Sequence, residues 1–389
     1  MSNLDITILM PCLNEETSLP HSIKKAKMFI DKNKLKGEVL ISDNGSTDNS
    51  ISIAKKHGCR VIHTKTKGYG AALKNGMNKA KSKIVIFGDA DGSYDFSQIE
   101  VFYKKLTSGY AFVIGDRFAG KINKNAMPIL HKYLGNPVLS FLGRFFFKNK
   151  INDFHCGLRG INKDIYKNYN KRLFCNGMEF ATEMVAYASI KKFKTFQTPV
   201  TLHQDKRVNT KPHLRTWPDG WRHLKFIIAL SPIRSMFLPG LFFILLNLTF
   251  MIMIISTNFS LTFLNTKLSF LSSIYFTLFS WIGIFLIISS LQSFRIISQK
   301  YNEKKTDNFI FNSFLKIKSD TFFLISLTLI FLFVMLFYPM IDYWYLNKFI
   351  YFDVSLFKFN LIITTFIIPY MIGSLIIGVL NYLNELFLK

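Results

Sequence analysis

Hydrophobic and polar positions follow one rhythm over the first 230 residues and another after that. Residues 5–10, 38–42, 60–63, 83–87 and 111–115 are short apolar runs rich in β-branched side chains, separated by longer stretches of helical periodicity. Short strands alternating with helices predict βαβ units, an α/β fold with a mostly parallel sheet covered by helices. Ligands of such sheets bind beyond the carboxyl ends of the strands.

The later rhythm is apolar all round. Residues 236–256, 268–292, 321–341 and 361–382 contain no Asp, Glu, Lys or Arg. At 1.5 Å per residue, about 20 residues cross the roughly 30 Å hydrocarbon layer, so each window predicts a transmembrane helix. Asn247 and Pro369 interrupt them and suit helix packing or a kink. Uncharged spans argue against an ion pathway, so the chemistry is expected in the first domain.

Between the two regimes lie two amphipathic patterns. Over 127–148 the polar positions His131/Lys132, Gly135/Asn136, Ser140, Gly143/Arg144 and Lys148 recur at helical spacing, with Leu and Phe filling the rest. That is the pattern of a helix lying in a membrane interface. A second helix is expected from Thr216, which can cap it, with Pro218 and Asp219 in its first turn and Trp217 and Trp221 suited to the headgroup boundary. The expected organisation is an α/β domain over 1–216 containing the interfacial helix 126–148, a juxtamembrane helix 217–234, and an all-α domain over 235–389 with four spans.

Charge sharpens this division. Residues 1–234 hold 39 Lys/Arg and 18 Asp/Glu, net +21, against 10 and 6 in residues 235–389. Lys outnumbers Arg 39 to 10 and no nucleic-acid-binding motif is present, so an anionic membrane surface, not nucleic acid, is the expected partner. Arg295, Lys300, Lys304, Lys305, Lys316 and Lys318 fall between the second and third spans, and the positive-inside rule then puts that loop and both termini in the cytoplasm. The N-terminus lacks a signal-peptide pattern, and the four cysteines are widely spaced, as expected of reduced thiols in a cytoplasmic domain.

Three acidic loops follow strands: Pro11-Cys12-Leu13-Asn14-Glu15-Glu16, Asp43-Asn44-Gly45-Ser46-Thr47-Asp48 and Gly88-Asp89-Ala90-Asp91-Gly92. Each alone reads as a turn or cap, but together they converge on one sheet edge. Asp89 and Asp91 leave their strand two residues apart and point the same way, so both carboxylates can face one divalent cation, Mg²⁺ or Mn²⁺, shared with water and a diphosphate. Lys67-Gly68-Tyr69-Gly70-Ala71-Ala72-Leu73 lacks the third glycine of a dinucleotide fingerprint and follows the third strand, so it reads as a glycine turn beside a nucleotide, not a Rossmann loop.

The runs MPCLNEE, ISDNGSTDNS, KGYGAALKNGM and IFGDADGSYDF resemble the nucleotide-binding half of family 2 glycosyltransferases with the GT-A fold. Further on, DFHCGLRGI, NGMEFATEMV and the stretch from TPVTLHQDKRVNT to WRHLKF resemble the bacterial polyprenyl-phosphate, or dolichol-phosphate-type, branch. The resemblance implies inverting transfer from a nucleoside diphosphate sugar, of UDP-glucose or GDP-mannose type, to polyprenyl phosphate. It implies that Pro11, Leu13 and Glu15 contact base and ribose, that Asp43 contacts the base, and that Gly68, Asp89, Ala90 and Asp91 line the nucleotide-sugar site. Asp89 and Asp91 would hold the metal. Arg117 would face phosphate, and Arg207 would sit on an arm that closes on the donor diphosphate. Oligomeric state stays open.

Asp153 has two readings. A sugar hydroxyl acceptor needs a general base, whereas a phosphate monoester, with a second pKa of about 6, is already anionic. Asp153 is then either catalytic or a positioning group for the acceptor or Arg159. His155 and Cys156 are not at metal-ligand spacing and suit packing. Glu179 and Glu183, at i and i+4, are expected to share one helix face, by itself a solvated one; the resemblance implies that this helix lies beside the acceptor cleft. A processive polysaccharide synthase would carry a Q-x-x-R-W segment, which is absent, and a non-catalytic scaffold would not need the acidic loops.

Overall fold

The computed structural model describes residues 4–166, 172–207, 216–256, 261–263, 266–268, 270–301, 313–314, 316–346 and 367–380. The chain divides into two compact units, Met1–Ile227 and Ile228–Lys389. The first unit alternates β1 (Ile6–Cys12), α1 (Leu19–Lys32), β2 (Gly37–Asp43), α2 (Ser50–Lys56), β3 (Arg60–His63), α3 (Tyr69–Lys79) and β4 (Ile84–Phe87). It continues with α4 (Glu100–Thr107), β5 (Phe112–Ile122), α5 (Asn136–Phe147), β6 (Arg159–Asn162), α6 (Phe180–Ile190), β7 (Thr195–Leu202) and α7 (Thr216–Leu230).

Among the described residues these seven strands form one sheet in the order β3-β2-β1-β4-β6-β5-β7. β6 runs antiparallel to β4 and β5, while the other pairings are parallel. This is the GT-A arrangement, a mostly parallel α/β sheet. The inner strands are covered on both faces: Ile84–Phe87 is wholly buried and β1 is buried except at Pro11, which accounts for their unbroken apolar runs. Helix α1 buries Leu19, Ser22, Ile23, Ala26 and Phe29, one stripe at helical spacing.

Strand register sets the chemistry. Cys12 pairs with Asp43 and Leu9 with Phe87, so the loops after β1, β2 and β4 leave on one rim. Because β6 runs the other way, the segment preceding it, Asp153 to Leu158, arrives at that same rim.

The apolar pattern omits β6 and β7. β6 is only Arg-Gly-Ile-Asn, with no β-branched run to announce it. β7 contains Pro199, which cannot donate to a ladder and argues against a central strand; β7 stands at the sheet edge, where proline is tolerated.

In the second unit, α8 (Leu238–Ser256), α9 (Phe270–Tyr301) and α10 (Ser319–Leu346) are apolar helices. Among the described residues three segments are long and apolar enough to span a membrane: Ile233–Met253, Leu278–Tyr301 and Ser319–Tyr343. Ile367–Leu380 is a shorter apolar helix, and residues 361–366 and 381–382 of the fourth expected window lie outside the described residues. Helix α9 runs past its expected end at 292 to Tyr301, so Arg295 and Lys300 are helical, not in a loop. Neither Gly nor Pro interrupts this extension, and basic residues suit a helix C-terminus. Asn247 on α8 donates its amide nitrogen to Ser280 Oγ on α9 at 2.6 Å, a polar link between two apolar helices.

Candidate active site

The first two loops are laced together. Asn14, with φ of 57°, receives the Thr47 amide on Oδ1 at 2.8 Å and gives its own amide to Ser46 Oγ at 3.0 Å. The Glu16 amide donates to Asp48 Oδ2 at 3.0 Å and the Glu15 amide to Ser50 Oγ at 2.8 Å. Pro11 and Leu13 are half-buried beside them. Asp43 accepts the amides of Gly45 and Ser46 at 3.1 and 3.0 Å and faces His63 Nδ1 at 3.2 Å. Burial pushes its carboxyl up, but these hydrogen bonds outweigh burial and hold it below its ordinary range. Asp43 thus shapes the turn that follows β2.

The third loop supplies the carboxylates. Asp91, 9% exposed, accepts the Ser93 amide on Oδ1 and Arg207 Nη2 on Oδ2, both at 2.9 Å. Asp89 is hydrogen-bonded to the Tyr69 hydroxyl; burial first, then the charge of Asp91, raises its pKa above the ordinary carboxylate range. Ala90 is buried, and its carbonyl accepts Ser22 Oγ at 3.0 Å. Glu15 completes the ring, 3.6 Å from Arg207 Nη1, with burial pushing its carboxyl up to about 7. Glu15 is turned toward Arg207 and Ser18, whose hydroxyl it accepts at 2.6 Å. Asp89, Asp91 and Glu15 bring hard carboxylate oxygens to one rim, the donor type a divalent cation takes, but among the described residues no three such groups are placed to hold one together.

Arg117, 8% exposed, forms a two-pronged pair with fully buried Asp153: Nε to Oδ2 at 2.6 Å and Nη2 to Oδ1 at 2.8 Å. The amides of Arg117 and His155 donate to the same two oxygens at 3.2 Å. Asp153 therefore holds Arg117 and does not hold Arg159. Arg159 instead donates to the carbonyls of Cys156, Phe154 and Ala181 at 2.7, 2.8 and 2.5 Å, because its buried guanidinium finds the backbone that turns into β6. Beneath this, Thr182 Oγ1 bridges His155 Nε2 and His223 Nδ1 at 3.2 and 2.8 Å, and burial depresses the pKa of both rings.

Gly68 serves close packing. Its φ is +125°, and a Cβ there would lie 2.1 Å from the Asn176 carbonyl oxygen. The space the glycine leaves is filled by the protein's own backbone, and the turn delivers Tyr69 to Asp89. Gly68→Ala is expected to cost more than about 1 kcal/mol of stability, measured by chemical unfolding.

Glu179 and Glu183 do not share a cleft-facing surface. Glu183 is fully buried and accepts the amides of Phe174 and Cys175 at 2.9 and 3.0 Å. Glu179 stands at the N-cap of α6 and accepts the Gly177 amide at 3.2 Å. Their periodicity is real, but local backbone donors claim both. The four cysteines are free and buried.

A family model described as "Glycosyl transferase family 2" matches residues 7–169. An uncharacterized protein of Methanocaldococcus jannaschii is 30% identical over 201 residues, 50% of this chain and 80% of that one. The chain belongs to glycosyl transferase family 2. The low-salt glycan biosynthesis hexosyltransferase Agl6 of Haloferax volcanii is 32% identical over 236 residues, 60% of this chain and 56% of that protein. This chain thus spans little more than half the length of that relative. The dolichyl-phosphate hexose transferase of the same organism is 29% identical over 163 residues, 41% of this chain and 68% of that one.

Two groups of this family 2 site are not evident from the motifs. Tyr69 lies inside the glycine run, where attention falls on the glycines, and Asp205 precedes Arg207 in HQDKRVNT and orients it at 2.7 Å. A third feature is the exposure of α5, entered through a π turn over His131–Gly135. Ser140 and Gly143 are buried, and the Phe154 amide donates to Ser140 Oγ at 3.2 Å. Arg144 reaches Asn152, and His131 Nε2 lies 3.0 Å from Thr216 Oγ1. Leu130, Leu134, Val138, Phe141 and Phe145, spaced by three or four, are exposed, Phe141 by 57% and Phe145 by 59%. Polar side in and apolar side out is the reverse of a helix in water. Trp217 and Trp221 on α7 are also exposed.

Proposed function

We propose that this chain is an inverting, metal-dependent glycosyltransferase that moves a sugar from a nucleoside diphosphate donor to polyprenyl phosphate at the cytoplasmic face of a membrane. The observation that carries the reading is that one unit holds both the Asp89/Asp91/Arg207 cluster and a helix with its apolar side outward. Family membership and the dolichyl-phosphate hexose transferase likeness support the reaction class; inversion rests on the family resemblance.

Asp89 and Asp91 would hold Mg²⁺ or Mn²⁺, which supplies positive charge for the departing diphosphate. The donor diphosphate and water would supply the remaining ligands. Arg207 would face the diphosphate, and Arg117, held by Asp153, the acceptor phosphate. With both oxygens engaged, Asp153 suits a positioning role. An anionic phosphate needs no base, and its oxygen attacks the anomeric carbon directly. Pro11, Leu13, Asp43 and Gly68 line the approach for base and ribose.

The apolar stripe of α5, with Trp217 and Trp221, would rest in the interface and keep the site at the depth of the lipid phosphate. Burying a Phe contributes about 1.5–3 kcal/mol. Phe141→Asp with Phe145→Asp is therefore expected to lower kcat/KM for the lipid acceptor at least ~10-fold, leaving donor KM and unfolding midpoint unchanged. Steady-state kinetics in lipid nanodiscs checks this. The reaction itself is tested by incubating the protein with labelled nucleotide sugars, with and without polyprenyl phosphate, and extracting into organic solvent. Label should enter the organic phase with one donor and only with the acceptor; no lipid-linked label with any donor would defeat the proposal.

A further inference from the structure

Arg207 stands where a cation is wanted. Its Nη2 lies 2.9 Å from Asp91 Oδ2 and 2.7 Å from Asp205 Oδ2, and its Nε donates to Asp205 at 2.7 Å. Its Nη1 is buried, 3.6 Å from Glu15 Oε1, and makes no hydrogen bond among the described residues. The preceding backbone is strapped to the acidic loop, His203 N to Ser93 O and Lys206 N to Asp91 O, each at 2.9 Å. Asp91 Oδ1 accepts only the neutral Ser93 amide, whereas Oδ2, the oxygen turned toward the site's other charges, is held by the guanidinium of Arg207.

We infer that Arg207 is the resident counter-charge of the ligand-free site: it competes with the divalent cation for Asp91 Oδ2 and yields that oxygen when a diphosphate draws its guanidinium away. The inference rests on the metal-and-diphosphate reading above. Arginine cannot shed its proton in a protein, so it cannot make room by becoming neutral. Two positive charges on one carboxylate oxygen repel strongly in a partly buried site. The occupants of Oδ2 must exchange. A donor diphosphate offers the anion that releases Arg207, and Nη1, the donor left unused, is available to a phosphate oxygen.

Metal and donor therefore bind with positive coupling, and the coupling is reciprocal. Metal alone meets a site already neutralised. Removing Arg207 frees Asp91 for the metal but deprives the diphosphate of a partner, so the two affinities move in opposite directions. Asp205→Asn loosens the arginine without touching the carboxylate it competes for.

Mn²⁺ binding to the full chain, followed by electron paramagnetic resonance of free Mn²⁺ with and without UDP or GDP, tests this. Arg207→Gln is expected to bind Mn²⁺ about 10-fold more tightly than wild type without nucleotide, Asp205→Asn about 3-fold, and nucleotide is expected to tighten Mn²⁺ at least ~10-fold in wild type but far less in Arg207→Gln. Asp91→Asn should abolish the gain in a double variant. If both single variants bind Mn²⁺ as wild type does, the competition is overturned while the metal reading stands. If no protein binds Mn²⁺ even with nucleotide, the metal reading fails and this inference falls with it.

Discussion

Asp91→Asn should leave a folded protein whose sugar transfer is reduced by about 10³-fold, the scale seen when one preorganised electrostatic contact to a developing charge is lost. Asparagine keeps the size of the side chain and an oxygen for the Ser93 amide, so the turn should survive. What disappears is the charge that faces Arg207. Arg207 retains Asp205 and Glu15, so the loss in stability should be small. Circular dichroism and the unfolding midpoint separate lost charge from lost fold; full activity would remove Asp91 from the metal site.

Asp153 predicts the opposite signature. Removing one partner of a buried ion pair costs about 3–5 kcal/mol, because the other charge stays buried without compensation. Asp153→Ala should thus lower stability by that order and lose activity together with it. Arg117→Lys keeps the charge but not the two-pronged geometry, and should raise KM for the lipid phosphate while sparing donor KM. Had Asp153 been a general base, Asp153→Asn would lose its rate at nearly native stability. Urea unfolding alongside donor and acceptor kinetics decides between the two.

The contrast shows which parts of the site were legible in the sequence. Strands β1, β2 and β4 announce themselves by their buried apolar runs, Ile8–Met10, Val39–Ile41 and Ile84–Phe87; the loops at their ends are then placed by the fold. That route leads to Glu15, Asp43, Asp89 and Asp91. Long-range pairing has no local pattern: Asp153 lies 36 residues from Arg117, and the sequence offers it a base's role, the acceptor or Arg159 without pointing to that partner. The glycine run over 67–73 does not say that the Asn176 carbonyl, more than 100 residues away, is what packs against Gly68, since that approach is a long-range contact. The helix over 136–147 was evident in its period, but periodicity does not say which face turns inward; Ser140 bonded to the Phe154 amide does.

The most direct test compares two acceptors. With the preferred labelled donor and equal amounts of polyprenyl phosphate and the corresponding polyprenol, in the same nanodiscs, label in the organic phase is measured over time. The account predicts product from the phosphate alone, because both oxygens of Asp153 are engaged with Arg117 and its neighbours and Arg117 would meet an anion. Comparable transfer to the polyprenol would contradict it.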